Sequence, residues 1–504
     1  IIGVIAFAIL LIACFNFINL SVAMNIKRYK EIGIKKVTGA ARSTIIFQYL
    51  GETLFITLVS LAFAVIIVSV LLPLFNMMFN ADAHLRFASI GTLIFFVAVT
   101  LFTAFISGII PALYLGSSDP VSVLKGKAVK DQSFSIFRQG LIVFQFIIPM
   151  VLIICLMIIK NQDKYLENYN IGVDKENVIA IDKTEKITGH SESFKADLLS
   201  IPGVEAVSFT NCIPTYSAQV SNDVGWEGKD DSGHVPFWCI NTDFDYNKIV
   251  DIKMVAGRYF DRSFSADSAN YVINDVAAKI MNNKNPVGSL ISFEGNRGSV
   301  IGVFNDFHAL DLAGPFVPVI IRIKPQDASL ILVKSFSDEN RALTEEISSV
   351  QKRYDPESTS RPELLSDKRV INSQMKVSPG LIGLASLIAV IMACLGLFGL
   401  ASFTAENRTK DIGIRKANGA TTASVMRLLL ANYTRWITIA FAVAVPFAFF
   451  IGKSFLDKYF FHAPMPYWAF IAGPLVVYAV ALFTVSWQTW RIANRNPVEA
   501  LRYE

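Results

Sequence analysis

The sequence is short of charge. Of its 504 residues only 17% are Asp, Glu, Lys or Arg, while 53% are hydrophobic; soluble proteins carry about 25% charged residues. The deficit is uneven. Residues 160–376 read as ordinary soluble protein, and the apolar excess lies on either side of them. A formal net charge of +5 is too small to argue for a nucleic-acid partner.

The signatures of catalysis are missing too. The five histidines, at 84, 190, 234, 308 and 462, are scattered and form no H-E-x-x-H pair for zinc. There is no G-x-S-x-G nucleophile elbow. Gly452-Lys453-Ser454 looks like the end of a phosphate-binding loop, but Phe447 stands where that loop needs a glycine. Asp243–Asn247 opens like a calcium loop, yet Lys248 replaces the sixth-position Gly and Met254 the twelfth-position Glu. The reading is of a chain with no catalytic, metal or cofactor site of its own. Cysteine is scarce. Cys14, Cys155 and Cys394 lie in apolar runs as packing residues. Cys212 and Cys239 lie in the middle segment, where an oxidising compartment permits a disulfide; two buried thiols are the alternative, and both stay open.

Long apolar runs are what the chain has. A bilayer core needs about 20 apolar residues per helix, and seven candidate spans meet this, at 1–24, 46–75, 88–115, 137–159, 379–404, 427–452 and 466–490. The chain opens at Ile1 inside such a run, with no charged leader, so the expectation is the back portion of a longer protein. Lys and Arg cluster after the first span, at 116–138, after the fifth span and in the C-terminal tail, while 76–87 and 453–465 are poor in them. The positive-inside rule then puts those clusters in the cytoplasm and 160–376 outside. Glu52, early in the second span, reads as a snorkelling or helix-pairing group rather than a proton relay.

Two stretches repeat. RYKEIGIKKVTGA at 28–40 returns as RTKDIGIRKANGA at 408–420, and DPVSVLK at 119–125 returns as NPVEALR at 496–502. Span, charged motif, span, short loop, span and P-V-x-x-L tail therefore occur twice, as a parallel duplication. A mere topological anchor needs charge alone. These motifs also keep an acid in place (Glu31, Asp411) and two glycines each (Gly33 and Gly39, Gly413 and Gly419). Glycine inside a helix costs about 1 kcal/mol, so close backbone approach or a left-handed helix end is expected there. The favoured reading is a short amphipathic helix that presents mixed charge to a partner protein.

Between the groups, strands are expected at 178–182, 206–210, 299–304, 318–323 and 329–336, and helices at 192–200, 274–283 and 338–354, with Ser191 as an N-terminal signal. Residues 215–235 read as an exposed loop or insertion, and the whole as an α+β domain of two lobes.

These motifs resemble the FtsX-like permeases of ABC transporters, a superfamily that includes MacB-like exporters and lipoprotein-release permeases. The likeness rests on E/D-I-G-I-K/R-K-x-x-G-A after an apolar span and on the P-V-x-x-L tails. It is supported by NTDFDYNKI…VAGRYFD (241–261), YVINDVAAKIM…NPVGSLISF (271–293) and VIGVFNDFH (300–308). The resemblance implies a polytopic α-helical membrane protein, seven spans in this chain, with an α+β extracytoplasmic domain of MacB periplasmic-core type. It divides the chain into a first three-span permease unit (1–126), a span leading outward (127–159), the outer domain (160–376) and a second three-span unit (377–504). It implies location in the bacterial inner membrane and a separate ABC ATP-binding subunit, acting as a dimer and using the ATP, so that this chain binds no cofactor. The docking residues carried over are Arg28, Glu31, Gly33, Lys35, Lys36 and Gly39, with Arg408, Asp411, Gly413, Arg415, Lys416 and Gly419. ATP-driven movement would reach the outer domain and act on a peptide, lipoprotein or drug-like substrate, or on an effector protein outside; membrane lipids surround the spans. A membrane-anchored sensor or scaffold with a ligand-binding outer domain and no ATPase partner is the alternative.

Overall fold

The computed structural model describes residues 2–25, 34–79, 82–85, 89–117, 132–167, 177–213, 219–229, 235–283, 285–306, 316–336, 340–366, 379–407, 414–415 and 418–493. They form two compact units. One comprises Ile1–Asn161, Val377–Phe455 and Pro464–Glu504; the other comprises Gln162–Lys376 with Leu456–Ala463.

The first unit is helical. Its elements are α1 (Ile2–Asn25), α2 (Arg42–Phe79), α3 (Ile90–Ser117), α4 (Gln132–Glu167, continuing into the second unit), α8 (Pro379–Asn407), α9 (Thr422–Leu456) and α10 (Ala469–Ala493). All seven are long and apolar enough to cross a membrane, which makes the chain a multi-pass membrane protein. At 1.5 Å per residue, the 38 residues of α2 span about 57 Å, well beyond a hydrocarbon core of about 30 Å. Its only buried side chains are Ile45 and Thr53. Phe47, Phe55 and Phe63 face outward, as suits a helix surrounded by lipid. The core instead lies among α4, α8, α9 and α10. There Phe146, Met150, Leu397 and Tyr433 interlock with alanines at 393, 401, 440, 444 and 481. Small residues let helix backbones approach where lipid supplies no hydrophobic drive.

The second unit is α+β, as its alternating patterns predict. Twelve strands run through it: β1 (Val178–Asp182), β2 (Val204–Thr210), β3 (Gln219–Ser221), β4 (Val224–Trp226), β5 (Phe237–Thr242), β6 (Met254–Gly257), β7 (Tyr271–Asn274), β8 (Leu290–Phe293), β9 (Asn296–Phe304), β10 (Val319–Ile323), β11 (Leu330–Ser335) and β12 (Glu363–Leu364). Their order is β12-β1-β11-β2-β5-β10-β7-β9-β8-β4, with β3 beside β5 and β6 beside β9. The pairs β5/β10 and β7/β9 are parallel and the rest antiparallel. The main helices are α5 (Ser191–Leu199), α6 (Asp275–Ile280) and α7 (Asn340–Tyr354).

The sheet carries two cores. In one, α5 and α7 cover β1, β2 and β11, burying Ile181, Phe194, Phe209, Val333 and Ile347. In the other, α6 covers β5, β7 and β9, burying Ile273, Phe293, Val300 and Ile320. The cores meet where β2 and β5 share a single register pair, Thr210 with Thr242.

The structure corrects three local expectations. Residues 215–235 hold two short strands, β3 and β4, rather than a plain loop; three-residue strands are too short to show alternation. The helix expected over 274–283 spans only Asp275–Ile280. Asn274 is its cap, accepting from Ala277 N at 3.1 Å, and Asn282 turns the chain away at φ 49°. Ser191 does not cap α5; its hydroxyl donates backward to the carbonyls of Ile187 and Thr188.

Candidate functional site

The repeated motifs are the only sequence features that point to a partner, and their C-terminal halves are described in both copies. In the first copy a helical turn over 34–37 ends at Gly39. Ala40 N donates to Lys35 O at 2.9 Å and Gly39 N to Lys36 O at 3.1 Å. Gly39 lies at φ 96°. Those two bonds around a left-handed glycine define a helix terminus that satisfies the last carbonyls. The second copy repeats it: Ala420 N donates to Arg415 O at 2.9 Å, and Gly419 lies at φ 89°. No atom lies within 4 Å of where a Cβ would stand on either glycine. Of the two reasons for glycine, the left-handed end therefore holds here and close packing does not.

The surface of these turns is unusual. Ile34, Val37 and Ile414 are 56%, 65% and 46% exposed, while Lys35 and Lys36 are half-buried. Lys35 Nζ donates to Gln48 Oε1 at 3.4 Å, and Gln48 Nε2 donates to Glu52 Oε1 at 3.2 Å. A polar chain thus ties the turn to the start of α2, and Glu52 belongs to it. In the first copy lysine turned inward and isoleucine turned outward reverse a solvated turn, whereas in the second copy Ile414 and Arg415 are both exposed. Arg28, Glu31, Gly33, Arg408, Asp411, Gly413 and Lys416 lie outside the described residues or have no described side chain. Lys35, Lys36, Gly39, Arg415 and Gly419 are placed as above.

Cys212 and Cys239 are both buried, and each carries a thiol. Cys239 points into the core around β5 and contacts the Phe237 carbonyl at 3.6 Å. Cys212, two residues past β2, turns its sulfur to the Ile213 carbonyl at 3.3 Å. Burial pushes each thiol up to about 12, so neither is a ready thiolate.

A polar cluster escaped the sequence reading. The acids of the DFD stretch pair with a lysine. Lys195 Nζ on α5 meets Asp243 Oδ2 at 2.5 Å and Asp245 Oδ2 at 2.7 Å. Ser208 donates to Asp243 Oδ1 at 2.6 Å, and Arg262 and Lys248 reach Asp245 at 2.8 Å each. Burial alone would raise the Asp245 carboxyl, but hydrogen bonds from Lys195 and Lys248 and the Arg262 charge outweigh it and bring it down to about 2. The cluster spans the thin β2/β5 joint, so it reads as structural. Its one sequence signal was DFD itself. Among the described residues no three His, Cys, Asp or Glu side chains gather as a metal site.

Comparison with known proteins gives these geometries a context. The family model for the FtsX-like permease C-terminal domain matches twice, at residues 3–120 and 383–497. The macrolide export ATP-binding/permease protein MacB of Neisseria meningitidis is 24% identical over 274 residues, covering 51% of this chain and 42% of that protein. The chain thus matches less than half the length of that relative. The ABC transporter permease YknZ of Bacillus subtilis is 22% identical over 272 residues, covering 51% of this chain and 68% of its own. The crystal structure of the periplasmic region of MacB from Actinobacillus actinomycetemcomitans aligns with 43% of this chain and 99% of its own, at 17% identity and a TM-score of 0.30. Each match falls on a three-helix group, so the chain carries two segments similar to the FtsX-like permease C-terminal domain, and over about half its length it is similar to MacB-like permeases of ABC transporters.

Proposed function

We propose that the chain is the membrane subunit of an ABC transporter in which a separate ATP-binding subunit, present as a dimer, drives movement of the 160–376 domain. The observation that supports it best is the pair of matched helix ends, each closed by a left-handed glycine and each bearing exposed isoleucine. Two equivalent docking turns suit a partner with two equivalent sockets. These 504 residues hold no phosphate-binding loop, which fits ATP held by a separate subunit. The motifs then face the cytoplasm of a bacterial inner membrane and the α+β domain faces outward, following the basic clusters. The work done outside is export or extraction of a peptide, lipoprotein or drug-like substrate, or activation of an effector protein.

The test is copurification of the full-length protein with a candidate ATP-binding subunit. Binding and a changed ATPase rate are expected. The double change Glu31→Lys with Asp411→Lys, and separately Ile34→Glu with Ile414→Glu, should uncouple ATPase while leaving membrane insertion intact. Burying one such side chain contributes about 1.5–3 kcal/mol, so the second pair should weaken binding at least tenfold. No binding and no change in rate would sink the reading; loss of insertion would instead favour a topological anchor.

A further inference from the structure

The register that aligns Gly39 with Gly419 also aligns Asn16 with Gly396, Asn19 with Gly399 and Leu20 with Leu400. α1 and α8, the opening helices of the two repeats, pack together, so that Asn16 meets its equivalent Gly396 and Leu20 meets Gly399. Asn16 Nδ2 donates to the Met392 carbonyl at 2.5 Å, and Gln145 Nε2 of α4 donates to the neighbouring Ala393 carbonyl at 2.7 Å. A Cβ on Gly396 would collide with Asn16 Oδ1 and stand 2.6 Å from Gln145 Nε2; one on Gly399 would lie 2.9 Å from Leu20 Cδ2. Asn16 and Asn19 are buried, and among the described residues the oxygen of each has no hydrogen-bond partner.

The seam is thus asymmetric across a near-symmetric crossing. The α1 side carries Ile12, Asn16, Asn19 and Leu20, and the α8 side carries Ala389, Ala393, Gly396 and Gly399. One helix supplies the amides and the other the space. Small residues allow close backbone approach in a membrane, and amide side chains then hydrogen-bond across. Two copies of α1 placed in this crossing would set Asn against Asn and Leu20 against Asn19, with no glycine to admit them. Two copies of α8 would set Gly against Gly, with no amide of either helix to hold the contact.

We infer that this seam is a recognition code: the first repeat pairs with the second through asparagine seated on glycine, in preference to a second copy of itself, so one chain closes both halves of the permease internally. The inference rests on the repeats and the seam, not on the ATPase reading. Its test needs no ATP-binding subunit, so the two can fail separately.

The experiment uses full-length protein in membranes, with the five native cysteines replaced by alanine and a protease site placed at the exposed Glu227–Gly228 turn. Leu20→Cys and Gly399→Cys are introduced together and singly, then oxidised. The pair is expected to give a link within one chain: after cleavage the two fragments stay joined until reduced, at monomer mass. Each single variant should give less than a tenth as much dimer as the pair gives internal link. Gly396→Ala should cut the internal link several-fold, and adding Asn16→Ala should restore much of it by removing the side chain that collides. Dimers from the single variants at yields matching the pair would overturn the inference. So would an unchanged link in Gly396→Ala chains, or no rescue in chains that insert normally.

Discussion

Ala40 N donates to the carbonyl of Lys35 at 2.9 Å, and Gly39 between them lies at φ 96°. This bond closes the turn of the first repeated motif, and it exists because Gly39 enters the left-handed region. Any residue with a Cβ pays about 1–2 kcal/mol there. Gly39→Val and Gly419→Val should therefore fray the turns, whereas Gly39→Asn, tolerated in that region, should be milder. In a titration of the full-length protein with its ATP-binding subunit, the valine variants should bind about tenfold more weakly and the asparagine variant within about threefold of the parent. Equal loss for valine and asparagine would show that the left-handed end is not what matters.

The two thiols of the outer domain make a simpler prediction. With both buried and pushed up to about 12, Cys212 and Cys239 should resist maleimide at pH 8 in the native protein and react only after denaturation. Reductant should leave the outer domain's resistance to proteolysis unchanged. Rapid labelling, or loss of resistance on reduction, would contradict two buried thiols.

The helical half of the fold was plain in the sequence because each span states itself locally, as an apolar run long enough for a bilayer. Several boundaries moved outward, as with α2, which runs from Arg42 rather than 46, since amphipathic extensions lack the apolar signal. In the sheet, strands with several consecutive buried residues, such as VIAID and SLILVKS, were legible, and β3 and β4 were not. Gly39 and Gly419 could be singled out because a helix motif with a costly glycine asks for a reason. Lys195 could not. Its partners Asp243 and Asp245 are distant in sequence, and a lone lysine on a short helix carries no mark of burial. Asn16 was equally silent, since its meaning appears only when α1 lies against Gly396.

The Lys195 cluster predicts an acid weakness in the outer domain. Asp245 is held down to about 2 from an ordinary 3.8. Asp267 is also held below its ordinary range, chiefly by the Arg258 guanidinium, which donates to its two oxygens at 2.5 and 2.9 Å. A carboxyl depressed in the folded state contributes stability above its unfolded value and loses it as pH falls through the folded one. Resistance to urea, followed by limited proteolysis of the outer domain in the solubilised chain, should hold from pH 7 to about 5. For the Asp245 contribution it should fall between about 4 and 2. Lys195→Met leaves Asp243 buried beside no cation and should cost about 3–5 kcal/mol at pH 7. It should also flatten the acid dependence. A variant as stable as the parent at pH 7 would show that the cluster does not hold the β2/β5 joint.

Gln162, near the end of α4, holds the segment between α9 and α10 with both ends of its amide. Its Nε2 donates to Phe461 O at 3.0 Å, and its Oε1 accepts from Ala463 N at 2.7 Å. The side chain is fully buried, and Phe461 packs edge-on against Phe316 of the same unit at 5.6 Å. Gln162→Leu keeps the bulk but strands two backbone groups, at about 1–3 kcal/mol for each left without a partner. Gln162→Glu keeps the acceptor for Ala463 N and loses only the donor to Phe461 O. Cleavage between Leu456 and Ala463 by a nonspecific protease, measured in the full chain, should therefore rise in the order parent, Gln162→Glu, Gln162→Leu, with a roughly tenfold step to the leucine variant. The same change should leave cleavage near Glu227 untouched, because that turn belongs to the far core around β4. Equal rates at both sites would mean that the amide holds nothing locally and that the whole domain loosens instead.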